Sequence, residues 1–384
     1  MKTKRLRVAG LFLGLLLFAL LVASAQAGTA KPQPNKVKQT ANPIWTLAMD
    51  GPRVAYASGG RVHVWNVATG ATSVVKGRYG NAAHNVAVAI AGKRVAWIQR
   101  QRFGETAESD KLYTAPIGGR ARLLKRGHLL DWADSSQTSG GWIGGLVGSG
   151  KVLAVSTWNS NGTVSSDQRL SLITPTGLRT IVTGPGAIVA ASVNGGHIAV
   201  LRSTGAWPAW EPATPTTEPT VGIYSTGGTL LREIALTDQI PPPYTNMCCT
   251  IDNSIALSGD RLVVLTETAT PHVKWTTTLQ VYNWRTGTLV QTWPLACCRP
   301  WTLSVTPLAV YGRLAAIEGA SLLNLVDLTT GNYFPIAHDS YVSDTGSPMA
   351  IGSRGLVYTP NPRYKGPGEL VFVPMAKLLA MLSQ

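Results

Sequence analysis

The chain has 384 residues, 45% of them apolar and only 14% charged, with a formal net charge of +15. That length is ample for a large core, and a single long apolar run excludes a polytopic membrane protein. No nucleic-acid recognition motif accompanies the positive charge, so nucleic acid is not the expected partner.

The first element is a leader. Lys2, Lys4, Arg5 and Arg7 form a basic start, Val8 to Ala23 is apolar, and Ala25-Gln26-Ala27 is a small-residue cleavage site. The apolar run is short for a bilayer span of about 20 residues, and no Cys near the cleavage point offers a lipid anchor. Residues 1–27 therefore read as a signal peptide, with export to the cell envelope or the medium and no stable membrane insertion afterwards. Losing the four positive charges of the leader leaves +11 on the mature chain. A cationic exported protein is drawn to anionic surfaces, acidic polysaccharide among them. Residues 28–43, with three Pro and three Lys from Lys31 to Pro43, read as a flexible linker.

From residue 44 onward the chain repeats itself seven times. The repeat is a Gly turn followed by an apolar strand. It reads DGPRVAY at Asp50, AGKRVAW at Ala91, SGKVLAV at Ser149, NGGHIAV at Asn194, SGDRLVVL at Ser258, YGRLAAI at Tyr311 and, more loosely, SRGLVY at Ser353. The turn glycines Gly51, Gly92, Gly150, Gly195, Gly259, Gly312 and Gly355 are 41 to 64 residues apart. The shortest interval fits one four-stranded blade, and the longer ones fit a blade with insertions. In the first unit the strands, A to D, are Ile44–Met49, Val54–Ala57, Arg61–Val67 and Ala71–Val75, separated by Asp-Gly-Pro, Gly-Gly and Thr-Gly turns. Apolar and polar residues alternate with a period of two, so these are strands. The expectation is an all-β, seven-bladed β-propeller of four-stranded antiparallel blades, spanning 44–384 as one domain.

Strand C and its turn repeat best: VHVWNVATG at Val62, LQVYNWRTG at Leu279 and LNLVDLTTG at Leu323. These units resemble WD-repeat-type and TolB-type blades. Their Asn/Asp-x-x-Thr-Gly ending is similar to that of many bacterial propeller repeats. The resemblance spans nearly the whole mature chain and implies a secreted bacterial propeller. The Gly-His and Trp-Asp signatures of true WD repeats are absent, so it implies a fold and no activity. The fourth strand of the last blade has two candidates, Lys377–Leu382 or a strand lent by Lys36–Thr40. Ala376 to Leu382 is also the one stretch with a helical pattern.

In an up-and-down blade the A–B and C–D turns share one face, and the B–C loops and D–A connections share the other. Every A–B and C–D turn is short. The long segments all fall on the other face: B–C loops at Gln99–Asp110, Thr157–Arg169, Ser203–Thr220, Thr266–Thr277 and Pro360–Gly368, and D–A connections near Gly127–Gly141, Thr237–Thr250 and Pro294–Trp301. Long loops concentrated in this way mark a binding face.

Both cysteine pairs, Cys248-Cys249 and Cys297-Cys298, precede strand A of neighbouring blades on that face. In an exported protein disulfides are the default. Adjacent Cα atoms about 3.8 Å apart strain a vicinal bridge. Pairing between the two sites is therefore favoured, either 248–297 with 249–298 or crossed, and the alternatives are two vicinal bridges or a four-thiolate metal site.

No nucleophile motif is present, and the six His residues are scattered without metal spacing. His63 and His197, like Trp65, Trp97 and Trp284, sit in strands and read as packing residues. No catalytic residue, cofactor or metal ligand is assigned. Carboxylates on the elaborated face (Glu105, Glu108, Asp110, Asp131, Asp134, Glu211, Asp238, Asp252, Glu267) could form an acid/base pair. Asp131–Ser135 (DWADS) is a weak calcium-loop candidate that lacks the ligand spacing of an EF-hand. Trp158, Trp207, Trp210, Tyr244, Trp275, Trp301 and Tyr364 offer flat rings for stacking on sugars or partner side chains. The leading expectation is an exported, monomeric, non-catalytic binding module for a protein or an anionic or neutral polysaccharide. The alternative is a secreted hydrolase or lyase using those carboxylates or a metal at the channel mouth.

Overall fold

A computed structural model describes residues 35–76, 83–103, 107–127, 130–131, 140–160, 165–184, 187–203, 220–236, 254–269, 275–295, 308–319, 322–338, 348–360 and 366–383. These form seven antiparallel sheets, each a blade of four strands, in the order expected. The chain is a seven-bladed β-propeller. The A strands are Ile44–Asp50, Ala83–Ala91, Gly140–Ser149, Ala187–Asn194, Ser254–Ser258, Leu308–Tyr311 and Met349–Gly352. Each touches the next and the last touches the first, so they are the inner ring.

Alternation along each strand sends side chains to both faces of a blade, and each face meets a neighbour. The result is seven separate apolar cores, one per inter-blade gap. Ala55, Val64 and Val75 of blade 1 meet Ile90, Val95 and Trp97 of blade 2. Around the ring, Val357, Leu370 and Phe372 of blade 7 close onto Ile44, Val54 and Trp65 of blade 1. Trp65, Trp97 and Trp284 are buried, as their strand positions implied.

The Asn/Asp-x-x-Thr-Gly ending is a complete turn device. The Asn66 carboxamide oxygen accepts from the amides of Ala68 (3.0 Å) and Thr69 (3.4 Å), Thr69 Oγ1 accepts from Ala71 (3.3 Å), and the Gly70 amide donates to the Asn66 carbonyl (2.7 Å). Asn283 with Thr286 repeats this arrangement, and Asp327 with Thr330 follows it closely. The closing glycines Gly70, Gly287 and Gly331 have φ of 78°, 77° and 75°, a left-handed conformation that favours glycine.

The ring closes with strand Lys36–Thr40, which pairs antiparallel with Gly368–Phe372 as the outermost strand of blade 7. These residues lie within the stretch read as a linker. KVKQT is polar because only one edge of it is paired, and lysine on a free edge discourages further pairing. Lys36 Nζ donates to the Val67 carbonyl of blade 1 (2.6 Å), so the N-terminal strand also ties blade 7 to blade 1. The other candidate for this position is the helix Met375–Met381. It buries Leu378 against blades 6 and 7 and sends Lys377 Nζ to Asn35 Oδ1 (3.1 Å).

Candidate functional site

The face bearing the A–B turns is stapled from blade to blade. The residue that ends strand A, just before the turn glycine, accepts from the turn amide of a following blade. Asp50 takes two such bonds, from Gly92 (2.7 Å) and Gly150 (2.9 Å). Asn194 accepts from Gly259 (3.3 Å) and Ser258 from Gly312 (2.7 Å). Further out, strand D of one blade grips the C–D turn of the next. Arg122 donates to the Pro175 and Thr176 carbonyls (2.5 and 3.0 Å), Arg179 to Thr226 (2.7 Å), and Arg232 to Arg285 (2.8 Å). Gln291 reaches Thr329 (3.3 Å) in the same way. Three arginines are thus held by neutral carbonyls of the next blade.

The opposite face is built differently. In blades 2, 3 and 5 the B–C insertions are continued hairpins: Arg94–Phe103 with Ala107–Pro116, Val152–Ser160 with Ser165–Ile173, and Arg261–Ala269 with Trp275–Asn283. In blades 1 and 6 the B and C strands have six residues each. At about 3.3 Å per residue, three or four more residues carry each hairpin roughly 10 Å further. The expected loops Gln99–Asp110, Thr157–Arg169 and Thr266–Thr277 are thus largely strand. Blade 2 adds a two-residue strand, Leu130–Asp131, on Ala107–Glu108.

This changes the standing of several residues. Trp158 lies in strand B of blade 3, in register with Trp142, and Trp275 opens strand C of blade 5, in register with Ala269. Trp207, Trp210, Tyr244, Trp301, Tyr364 and all four cysteines, Cys248, Cys249, Cys297 and Cys298, lie outside the described residues. So do Glu105, Asp134, Glu211, Asp238 and Asp252. Asp110 does not present its carboxylate at a channel mouth. It is buried within blade 2 and takes two bonds from Arg100, Nε at 2.9 Å and Nη2 at 3.1 Å. Glu108 and Glu267 sit on extended strands. Among the described residues no three His, Cys, Asp or Glu side chains form a metal-holding group.

Sequence reading overlooked a second series. The innermost strands of blades 1 to 4 all break register near their elaborated-face end. The breaks fall between Ile44 and Thr46, Asn85 and Ala87, Ile143 and Leu146, and Ile188 and Ala190. Trp45 and Val86, at the first two bulges, are each 41% exposed on strands that line the centre. Bulges re-aim side chains at rims in this way. The signal was available as a position, five residues before the end of each A strand. Of the titratable groups, Tyr56 is pushed to about 12 by burial and belongs to a blade interior. It stacks on His63 at 5.1 Å.

No family model matches the chain, and no curated protein matches it. Among solved structures, a chain of the "Crystal Structure of Mitotic Checkpoint Complex" superposes with a TM-score of 0.50 at 13% identity, over 89% of this chain and 92% of that one. The β-propeller domain of the Trilobed protease from Pyrococcus furiosus gives 0.48 at 11% identity, over 87% and 96%. The β-propeller domain of Cps50 (Swd1) from Myceliophteria thermophila gives 0.47 at 9% identity, over 88% and 99%. At such identities the likeness is one of fold, which agrees with the WD-repeat-like blade pattern.

Proposed function

We propose that this protein is an exported, non-catalytic binding propeller that engages a protein or a cell-surface polysaccharide through its B–C/D–A face. The observation that carries the reading is the asymmetry of the two faces. Hairpins of blades 2, 3 and 5 extend past the blades on one side only, while the other side is occupied by inter-blade hydrogen bonds. Extended hairpins present side chains on a rigid ladder, which lowers the ordering cost of binding relative to free loops. The basic n-region, apolar run and Ala25-Gln26-Ala27 support export.

The test uses the mature chain from Gly28. Blade 2 is shortened by replacing 102–108 with a two-residue Asn-Gly turn, and blade 3 by the same replacement of 159–166. Wild type and both variants are then screened on an array of wall and surface glycans. Retained melting temperature with loss of at least about tenfold in glycan affinity supports the face as the binding surface. Bound glycan that is cut by the wild-type protein would overturn the non-catalytic part of the reading. N-terminal sequencing of the protein recovered from its native host checks cleavage after Ala27.

A further inference from the structure

Blade 2 carries a row of hydrogen-bond donors with no described acceptor. Gln99, Lys111 and Arg126 stand in direct register across strands B, C and D, and therefore project from the same side of the sheet. Gln99 is 4% exposed, and its Nε2 has no hydrogen-bond partner. Lys111 and Arg126 are a like-charged cross-strand pair, an arrangement that destabilises a sheet unless something offsets it. The ion pairs of the described residues do not include this row: Arg100 with Asp110 is the next register pair and projects from the opposite side of the sheet, and Arg285 with Asp260 and Arg313 with Asp327 lie in blades 5 and 6.

A second like-charged pair flanks the first. Lys125, next along strand D, stands opposite the fully buried Leu112 and so faces blade 3. There it meets Arg169 of that blade; burial first, and Arg169 second, hold its ammonium below its ordinary value. The outermost strand of blade 2, Arg122–Arg126, thus has cations on both of its sides. One of its edges is paired to strand C, and no other described strand pairs with it; just before it, the Ala121 amide donates to the Lys76 carbonyl of blade 1 (2.7 Å).

We propose that the outer edge of blade 2 binds an acidic polysaccharide. Its anionic groups would be seated on Lys111 and Arg126, with the unpartnered Gln99 amide behind them, and with Lys125 and Arg169 closing over the other side. An extended polymer with anions at intervals matches cations spaced along both sides of a strand. None of the exposed large apolar side chains among the described residues lies on strands C or D of blade 2, so nothing there enters a bilayer. This site is separate from the hairpin tips, and it stands or falls without them.

The experiment measures binding of fluorescent heparin and polygalacturonate to the mature chain at several salt concentrations. Neutral dextran, polyglutamate and phosphatidylglycerol vesicles run alongside. Two double variants, Lys111→Gln with Arg126→Gln and Lys125→Gln with Arg169→Gln, are compared with Lys93→Gln plus Lys151→Gln. The last pair removes the same charge from exposed A–B turns. Each blade-2 double variant should weaken both acidic polysaccharides by about tenfold, the turn variant by less than about twofold, and wild-type binding should fade with salt. Because the first double variant relieves repulsion, it should melt no lower than wild type, and the polysaccharide should raise the melting temperature of wild type alone. Equal losses in all three variants would show diffuse charge and overturn the site. Preference for polyglutamate or vesicles over the polysaccharides would overturn the ligand class, and so would wild-type protein that ignores both polysaccharides. Lys111→Arg with Lys125→Arg should keep full binding, and failure to do so would also count against the proposal.

Discussion

The two faces of the propeller use the same repeat for different ends. On the A–B/C–D face the repeat is most regular because its residues bond to the neighbouring blade. Asp50, Asn194 and Ser258 each occupy the position before a turn glycine, and each accepts an amide from another blade. On the B–C/D–A face the described bonds between blades are fewer, Ile188 N–H of blade 4 to Gln168 Oε1 of blade 3 (3.3 Å) and Arg202 Nη2 to the Thr183 carbonyl (2.9 Å), and the hairpins differ in length from blade to blade. Sequence regularity in this chain therefore tracks inter-blade bonding. The irregular face is where binding surfaces can vary without loosening the ring.

The most direct way to break that division is to open the ring. Deleting residues through Thr40 removes a five-residue ladder, the Lys36–Val67 tie and the Gln39–Glu369 bond. At about 1 kcal/mol net per hydrogen bond, the loss should be roughly 5 kcal/mol, read as a large fall in the urea midpoint. If the deleted protein melts with wild type, closure rests on blade packing alone. Slightly smaller is the effect of adding one methyl at the inner ring. A Cβ on Gly148 would lie 2.7 Å from the Ile90 carbonyl oxygen of blade 2 and 2.7 Å from Leu153 Cδ2. Gly148→Ala should cost about 3 kcal/mol, because a backbone oxygen cannot swing aside. Gly150→Ala has open space around its Cβ but φ of 63°, so it should cost about 1 kcal/mol.

These elements also mark what could be read in advance. The seven blades were legible because Gly at φ above 0° and the Asn-x-x-Thr-Gly turn are written directly in the residues. The N-terminal strand was half legible. KVKQT has no apolar stripe, and its partner lies some 330 residues away, visible only as an unfilled place in blade 7. The long hairpins read as loops for a related reason. QRQRF and WTTT lack the apolar–polar alternation that marks a half-buried strand while keeping the ladder. Asp110 looked available because a buried ion pair between neighbouring strands, Arg100 with Asp110, depends on register rather than on spacing. Trp45 was assigned to a strand correctly, but a bulge cannot be seen in one copy of a repeat.

A narrower test concerns the staples. Asp50→Ala removes two charge-assisted bonds that reach two different blades, and should cost about 2 kcal/mol. Asp50→Asn keeps one acceptor oxygen and should cost about half that. Arg179→Gln and Arg232→Gln each lose an exposed bond to a neutral carbonyl, and should cost about 0.5 kcal/mol apiece. If the arginine variants match Asp50→Ala, the outer grip rather than the inner staple holds this face.

The smallest expected effect is a pH dependence located at the closure itself. His63, on strand C of blade 1, is held below its ordinary value, first by burial and then by the charges of Arg61 and of Lys38 on the closing strand; a backbone hydrogen bond involving Ser58 opposes them. Its folded pKa lies under that of the unfolded chain, so the unfolded state binds more protons between the two values. Stability contributed by neutral His63 is therefore complete above about pH 6.5 and is lost as pH falls toward the lowered folded value. His63→Phe preserves the stack on Tyr56 and removes the proton site. The variant should lose about one degree less than wild type when the melting temperature is followed from pH 7.5 to pH 5. Lys38→Gln, which lifts one of the charges, should shift the wild-type loss to lower proton cost and flatten it in part. If Lys38→Gln leaves the His63 titration seen by NMR unchanged, the closing strand does not sit against blade 1 in solution as it does in this structure, and the ring is closed by some other means.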